Sequence, residues 1–285
     1  MSSNPTATAR LARLAALLLA FGTRSILGDT PIDFNTFQYD PKSAAIQAAP
    51  LWFLPTSTCF PSPAEVNGQQ TNGNDPDHCN INKIDSNCPQ QPDWQGPYTK
   101  ANSFPTYYYV KYCGDVDQWR ILYDVYFKKD TGHKSDWEWA VMVFKNNGNG
   151  GYNRDSVIME QEGNHGYSSW SSIPEAFVNF SNSTPLLVLT TNPSNIYDND
   201  GSDGNHAKLY IAKWHHSIQT SPNDSFKSTC PSNYKVDFRA NDYYWGASDY
   251  LVSGDVVDSS WNWGKADSSP SSFHDGGAYD ICHKL

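Results

Sequence analysis

Four side chains able to bind a cation crowd into thirteen residues, Phe127-Lys-Lys-Asp-Thr-Gly-His-Lys-Ser-Asp-Trp-Glu-Trp139. Asp130 and His133 fall in a short connection between two strand-like runs, and Asp136 and Glu138 stand at i and i+2 where the second run begins. Side chains two apart on a strand share a face, so both carboxylates project one way and Trp137, Trp139, Val141 and Val143 the other. This alternation predicts one wet face and one core face. Neighbouring like charges on one face repel unless a cation lies between them. Three carboxylates and one imidazole are mostly hard oxygen donors, suited to Ca²⁺, Mg²⁺ or Mn²⁺ with water completing the shell, and poorly suited to a closed tetrahedral zinc site. The same spacing also fits a solvated hairpin turn with two surface carboxylates.

Two further groups invite a chemical reading. Asp198-Asn-Asp-Gly-Ser-Asp-Gly204 resembles an acidic Ca²⁺ loop, but its third Asp is one position late for the EF-hand pattern and no closing Glu follows. It reads as an Asn/Asp/Gly turn. His215-His216, after Trp214, sits at the end of a strand-like run, where a surface His pair is the commoner situation. Neither group is assigned a role.

The elements that must position Asp130 to Glu138 are strands. Period-two patterns run through 107–112, 118–127 and 137–144, which read as adjacent antiparallel strands. Further strands are expected at 156–160, 185–190 and 206–214, and a short helix with Pro174 in its first turn at 171–178. Residues 29–105 are rich in Pro, Asn, Gln and Asp, hold three of the six Cys and show little periodicity, the pattern of a disulfide-pinned loop segment. No composition shift divides the second half of the chain, and it holds no internal repeat. The expected fold is all-β, a single-domain β-sandwich spanning 29–285 with short surface helices and disulfide-pinned loops.

Composition agrees. Only 18% of the 285 residues are charged, against 38% hydrophobic and 14% aromatic, which suits a large core of short strands and argues against a helical bundle or disorder. A formal net charge of −10 supplies no clustered Lys and Arg for phosphates, which excludes nucleic acid as a natural partner. Residues 1–28 carry Arg10 and Arg13 ahead of the apolar run Leu14–Phe21, the layout of a secretory signal peptide cleaved between Gly22 and Gly28. No later stretch is long and apolar enough to be a transmembrane helix. The six Cys lack paired CxxC spacing and read as disulfides. Sequons at Asn179, Asn182 and Asn223 agree with passage through a secretory pathway, and the product is expected to be soluble, extracellular and monomeric.

The run Ile121–Asp130 followed by Gly132-His-Lys-Ser-Asp-Trp-Glu138 resembles the signature of the necrosis- and ethylene-inducing-peptide-1-like proteins, whose heptapeptide is Gly-His-Arg-His-Asp-Trp-Glu. Five of the seven positions match and Lys134 conservatively replaces Arg. Cys59-Phe-Pro-Ser-Pro-Ala64, Gly163-Asn-His-Gly-Tyr167, Trp263-Gly-Lys-Ala266 and Phe273-His-Asp275 resemble other family segments, so the likeness covers most of the mature chain. It implies a β-sandwich related in shape to fungal lectins and actinoporin cytolysins. It also implies a non-enzymatic protein that binds glycosyl inositol phosphorylceramides on plant plasma membranes and permeabilises them. The family's divalent cation maps onto Asp130, His133, Asp136 and Glu138, with Ca²⁺ or Mg²⁺ the leading ions. The family's first disulfide pairs Cys59 with Cys79 or Cys88, and Cys230 with Cys282 would tie down the tail.

Two departures separate the cation shell from toxicity. Ser135 replaces the second His, keeping a hydroxyl and losing the ionisable ring, and only two residues separate Asp130 from His133. Two other functions compete with a cytolysin: a lectin-like module or elicitor that binds sugar without lysis, and a secreted metal-dependent hydrolase with Glu138 or His133 as general base.

Overall fold

Residues rich in aromatic and branched side chains at period two form the longest strands among the described residues, and those strands carry the candidate site. The structure is a computed structural model that describes residues 30–91, 104–173, 175–179, 186–188, 205–222, 230, 238, 243–245 and 250–285. The expected signal peptide, the acidic turn at 198–204 and the sequons at Asn182 and Asn223 lie outside them.

Strand β1 (Ile32–Asp33) leads into helices α1 (Phe34–Tyr39) and α2 (Pro41–Ala48), then β2 (Leu51–Phe53). A small hairpin comes next, β3 (Glu65–Val66) and β4 (Gln69–Gln70). The long strands are β5 (Thr106–Cys113), β6 (Gln118–Lys129), β7 (Lys134–Asn146) and β8 (Gly151–Gln161), with β9 (Asn164–Ser169) after them. The remainder are β10 (Glu175–Asn179), β11 (Leu186–Val188), β12 (His206–Ile211), β13 (Ile218–Gln219), β14 (Tyr244–Trp245) and β15 (Leu251–Ser253).

One sheet has the order β1-β8-β7-β6-β5-β15, with β9 also on β8; the second has the order β11-β10-β12-β2-β14, with β13 on β12. Between them lies the main core. The first sheet contributes Ile121, Tyr123, Val125 and Phe127 of β6, Ala140, Met142 and Phe144 of β7, and Val157 and Met159 of β8. The second contributes Trp52, Leu209, Ile211, Ile218 and Tyr244. Two sheets sharing one dry layer make a β-sandwich, as the alternation required.

The lead-in departs from the loop-rich expectation. Asp33 caps α1 by accepting from Thr36 N at 2.9 Å, and Asp40 caps α2 by accepting from Ser43 N at 3.1 Å with Pro41 in the first turn. The small side chains Ala44, Ala45 and Ala48 bury one side of α2 in the main core, and Phe37 of α1 stacks on Trp119 at 5.0 Å. These helices are too short for their periodicity to stand out from a polar background. The expected helix at 171–178 is also corrected: a 3₁₀ turn covers Trp170–Ser172, and Glu175–Asn179 is strand β10, paired with β11 and β12. Phe and Val at positions 177 and 178 are residue types that favour a pleated surface, and sheet pairing overrides the local proline signal.

The outer face of the first sheet is not wet. Trp139, Val141 and Val143 pack with Leu122, Ile158, Phe273 and Ile281, so the C-terminal segment covers them. Beside them, Tyr107, Tyr126 and Trp137 pack with Trp263 and Ala266. Arg120 donates to the carbonyls of Ile281 at 2.6 Å and Leu285 at 2.9 Å, and Cys113–Cys282 pins the segment covalently. The other bridges are Cys59–Cys88 and Cys79–Cys230. The first is one of the two pairings the family resemblance allowed. The expected Cys230–Cys282 pair is overturned, because Cys282 lies over β5 while Cys230 lies by the lead-in.

Candidate metal centre

The β6–β7 ladder runs without slip from Gln118–Lys145 to Lys129–Lys134 and leaves Asp130 to His133 as its connection. That connection folds around one carboxylate. Asp130 Oδ1 accepts from Gly132 N at 2.7 Å and His133 N at 2.6 Å, and Asp130 N donates to His133 O at 3.1 Å. A tight turn built on an Asp side chain needs only two intervening residues, which accounts for the short spacing.

Neighbouring chain segments clamp the turn. Backbone amides of Asn74, Asp77 and His78 donate to the carbonyls of Lys128, Asp130 and Thr131 at 2.6, 3.4 and 3.1 Å, laying the segment 74–78 along the connection. Thr131 Oγ1 lies 3.1 Å from Asp77 Oδ1 and 3.4 Å from the Trp214 carbonyl oxygen. The Cys79–Cys230 bridge secures that strap.

Asp130, His133 and Asp136 come together, their ligand atoms all within 4.8 Å of one another. Asp136 and Glu138 are buried, as is Asp130. The expectation that they project from a wet face is corrected: their face is continuous with Ala140 and Met142 of the inter-sheet core, and its end opens into a cavity. That cavity, of about 400 Å³, is lined by all four expected ligands together with Glu160, Glu162, Asn164, His215, Lys265 and Tyr279. Glu138 lies outside the group of three and lines the same cavity as Glu160.

His133 Nδ1 lies 2.8 Å from the Ser135 carbonyl oxygen. A carbonyl can only accept, so Nδ1 carries the proton and Nε2 holds the lone pair available to a cation. Ser135 delivers that carbonyl from a left-handed conformation at φ 58°, and its Oγ lies 3.0 Å from the Tyr126 hydroxyl. Such a conformation is unfavourable for a residue with a Cβ and persists only where its surroundings enforce it. Gly73 leaves room for it: a Cβ there would stand 2.5 Å from Ser135 Oγ.

His215 and His216, unassigned from sequence, both reach the site. His216 Nδ1 lies 2.7 Å from Asp136 Oδ2 and His215 Nδ1 lies 3.4 Å from Asp130 Oδ2. Burial pushes the His216 imidazole down to about 4, despite the nearby carboxylates of Asp130 and Asp77. Burial pushes Asp136 well above the ordinary carboxylate range, and the charge of Asp130 adds to it. Glu138 is raised by burial and then by Glu160 and Asp136. For Asp130 burial acts upward, but the His215 hydrogen bond and the His133 charge outweigh it and the net displacement is downward.

The donor set fits a hard divalent cation. Asp130, His133 and Asp136 offer two carboxylates and one imidazole, and buried Glu138 Oε2 has no hydrogen-bond partner. Concentrated acid in a poorly solvated cavity is unfavourable without a counter-charge, and a divalent cation supplies one. Glu160 gave no signal in the sequence because it lies 22 positions beyond Glu138 on another strand, and an isolated Glu at a strand end is unremarked by any motif.

No family model and no curated protein matches the chain. Solved structures similar to it are necrosis- and ethylene-inducing-peptide-like proteins. They include the non-toxic HaNLP3 protein, at 13% identity and a TM-score of 0.43 over 78% of this chain and 81% of that one. NLPPya in complex with glucosamine is 16% identical with a TM-score of 0.44, covering 84% and 87%. A third, described as a toxin fold that is the basis for microbial attack and plant defense, is 14% identical with a TM-score of 0.45, covering 83% and 86%. The correspondence of particular residues therefore stands on this chain's own heptapeptide, Gly132 to Glu138, and on the geometry around it.

Proposed function

We propose that the chain is a secreted, cation-dependent membrane-binding protein of the necrosis-inducing kind, acting as a cytolysin or elicitor. The observation that carries this reading is the convergence of Asp130, His133 and Asp136 of the heptapeptide hairpin on one acidic cavity. Glu138 completes the ligand set on this reading. The ion, Ca²⁺ or Mg²⁺, neutralises the buried carboxylates and offers open coordination positions to hydroxyl oxygens, which sugars supply in pairs. The partner is the sugar head group of a plant plasma-membrane glycosphingolipid, a glycosyl inositol phosphorylceramide, met from outside the bilayer. No helix among the described residues is long and apolar enough to cross a membrane, and the reading requires peripheral contact only. It assigns no bond-breaking step to the chain.

The experiment is dye leakage from vesicles of plant plasma-membrane lipids, with Ca²⁺ or Mg²⁺ and again with excess EDTA. Leakage that EDTA stops and Asp136→Ala abolishes is the expected result. Sugar binding by folded protein without leakage would identify a lectin-like module, and EDTA-sensitive turnover of a glycan or ester would identify a hydrolase.

A further inference from the structure

Beyond β15 the C-terminal segment 254–285 has two tasks. Phe273 and Ile281 cover Trp139, Val141 and Val143 of β7, and Lys265, Asp267, Ser268 and Tyr279 form a wall of the acidic cavity. The far end of the segment folds on itself: Tyr279 N donates to Ser272 O at 2.9 Å, Ile281 N to Phe273 O at 3.0 Å, and the Asp280 carboxylate accepts from Gly276 N at 2.8 Å and Cys282 N at 3.1 Å. Such a loop can lift from the sheet as a unit. The polar ties that hold it down include Arg120 to the carbonyls of Ile281 and Leu285, Ser268 Oγ to the Trp137 carbonyl at 3.0 Å, and the surface pair Lys111–Asp275 at 2.7 Å. These are reversible contacts, and the covalent tie is Cys113–Cys282. A pocket of about 250 Å³ opens directly on that bridge, lined by both cysteines with Lys111, Asp115, Asp275 and His283. Cys113 is buried and Cys282 half-buried, so an entering molecule meets the Cys282 sulfur first. The other bridges are set among apolar side chains, Cys59 in the inter-sheet core and Cys79 and Cys230 beside Ile84 and Trp214. Accessible disulfides are the ones that exchange readily with thiols.

We propose that Cys113–Cys282 is a redox latch on the C-terminal segment, opened by a small-molecule thiol that enters this pocket. The thiolate attacks Cys282 Sγ and forms a mixed disulfide there, while Cys113 leaves as a thiolate and takes a proton from water. A second thiol displaces the Cys282 thiol, and the two reductant molecules depart joined as their own disulfide, having passed two electrons to the protein. With the latch open the segment lifts, Trp139, Val141 and Val143 become exposed, and the cavity loses the wall that carries Lys265 and Tyr279. A newly bared apolar face of this kind is a contact surface. The β6–β7 ladder lies outside the latch, so the change is local. The latch needs no bound cation and stands independently of the proposed function.

Glutathione is the probe, applied to the full mature chain in buffers of rising reduced-to-oxidised ratio. Free thiols are alkylated and assigned by peptide mass spectrometry, and backbone hydrogen exchange is followed over 254–285. Cys113 and Cys282 are expected to be alkylated first, with the other two bridges closed. Exchange over 263–285 should then rise by about tenfold or more while β6 and β7 keep their native protection. The double variant Cys113→Ser, Cys282→Ser should show the same exchange without any thiol; if it does not fold, the order of reduction in the native protein still decides the matter. The latch would be overturned by another bridge opening first, by all three opening together with loss of the whole fold, or by no bridge opening at any ratio. Alkylation of Cys113 and Cys282 with unchanged exchange over 263–285 would overturn it as well, by showing that the bridge opens without releasing the segment.

Discussion

His216 Nδ1 lies 2.7 Å from Asp136 Oδ2, in an imidazole stacked on Phe127 with ring centroids 3.9 Å apart and planes 9° from parallel. The histidine is fully buried and its pKa is pushed down to about 4, so near neutrality it is an uncharged ring paired with the carboxyl group and able to orient it. Groups that orient ligands in this way commonly change metal affinity by about 10–100-fold when removed. His216→Ala is expected to weaken Mn²⁺ binding by that factor with all four candidate ligands intact, as read by calorimetry. An unchanged affinity in folded protein would show that Asp136 is held by backbone packing alone.

A cation that binds only the folded chain raises its stability by mass action, by about 2.7 kcal/mol at a hundred times the dissociation constant. Adding Ca²⁺ or Mg²⁺ should raise the melting temperature in a concentration-dependent way and EDTA should lower it. Asp136→Asn should melt at the same temperature in both conditions. A native melting curve indifferent to every divalent ion tested would argue that the buried carboxylates are neutralised by protons.

Gly73 lets its backbone approach the site closely without belonging to it. Its missing Cβ would lie 2.5 Å from Ser135 Oγ, 2.6 Å from Ser135 N and 3.1 Å from the Lys128 carbonyl oxygen. Gly73→Ala should therefore displace Ser135, disturb the carbonyl that orients His133, and reduce cation affinity. The comparison is Gly148→Ala, where nothing lies within 4 Å and any effect comes from the positive φ of 74°. Equal cation affinity in Gly73→Ala and native protein would remove Ser135 from the orienting residues.

His206 couples stability to acid. It is buried beside α2, its Nδ1 donates to the Ala49 carbonyl oxygen at 2.7 Å, and burial lowers its pKa from 6.5 to about 3. Between those values the unfolded chain binds a proton that the folded chain does not, so stability falls as pH falls from 6.5 toward 3. The slope from this one group approaches about 1.4 kcal/mol per pH unit. Urea unfolding across that range should show it, and His206→Gln should flatten it; an identical slope in the variant would transfer the effect to other groups.

The Cys113–Cys282 bridge closes 169 residues and holds the segment that covers Trp139, Val141 and Val143. Chain-entropy arguments put a loop of this order at about 4–5 kcal/mol. The double variant Cys113→Ser, Cys282→Ser should lose stability of that order, and limited proteolysis should reach the C-terminal segment first. Cleavage beginning elsewhere would show that Arg120 and the apolar contacts of Phe273 and Ile281 suffice to hold the cover.

The long strands were legible because alternation sustained over many residues is a local property, and β5 to β7 carry it most clearly. The candidate ligands of the hairpin could be picked out for the same reason: Asp130 to Glu138 lie within one turn and the start of the next strand, and antiparallel pairing alone brings them near each other. Helices α1 and α2 were not, since six and eight residues hold too few turns for a period to emerge.

Residue order alone was enough to specify a β-sandwich and one acidic hairpin. How that hairpin is surrounded came from long-range folding. It put His216 against Asp136 from 80 positions away, set Glu160 beside Glu138, and paired Cys79 with Cys230 across 151 positions. It also covered the sheet face expected to be core with the C-terminal segment and buried the face expected to be wet under the second sheet. The physical reason is that strand periodicity specifies two faces but not their neighbours; which face meets which element depends on long-range packing, where apolar area is removed from water and every buried charge must find a partner.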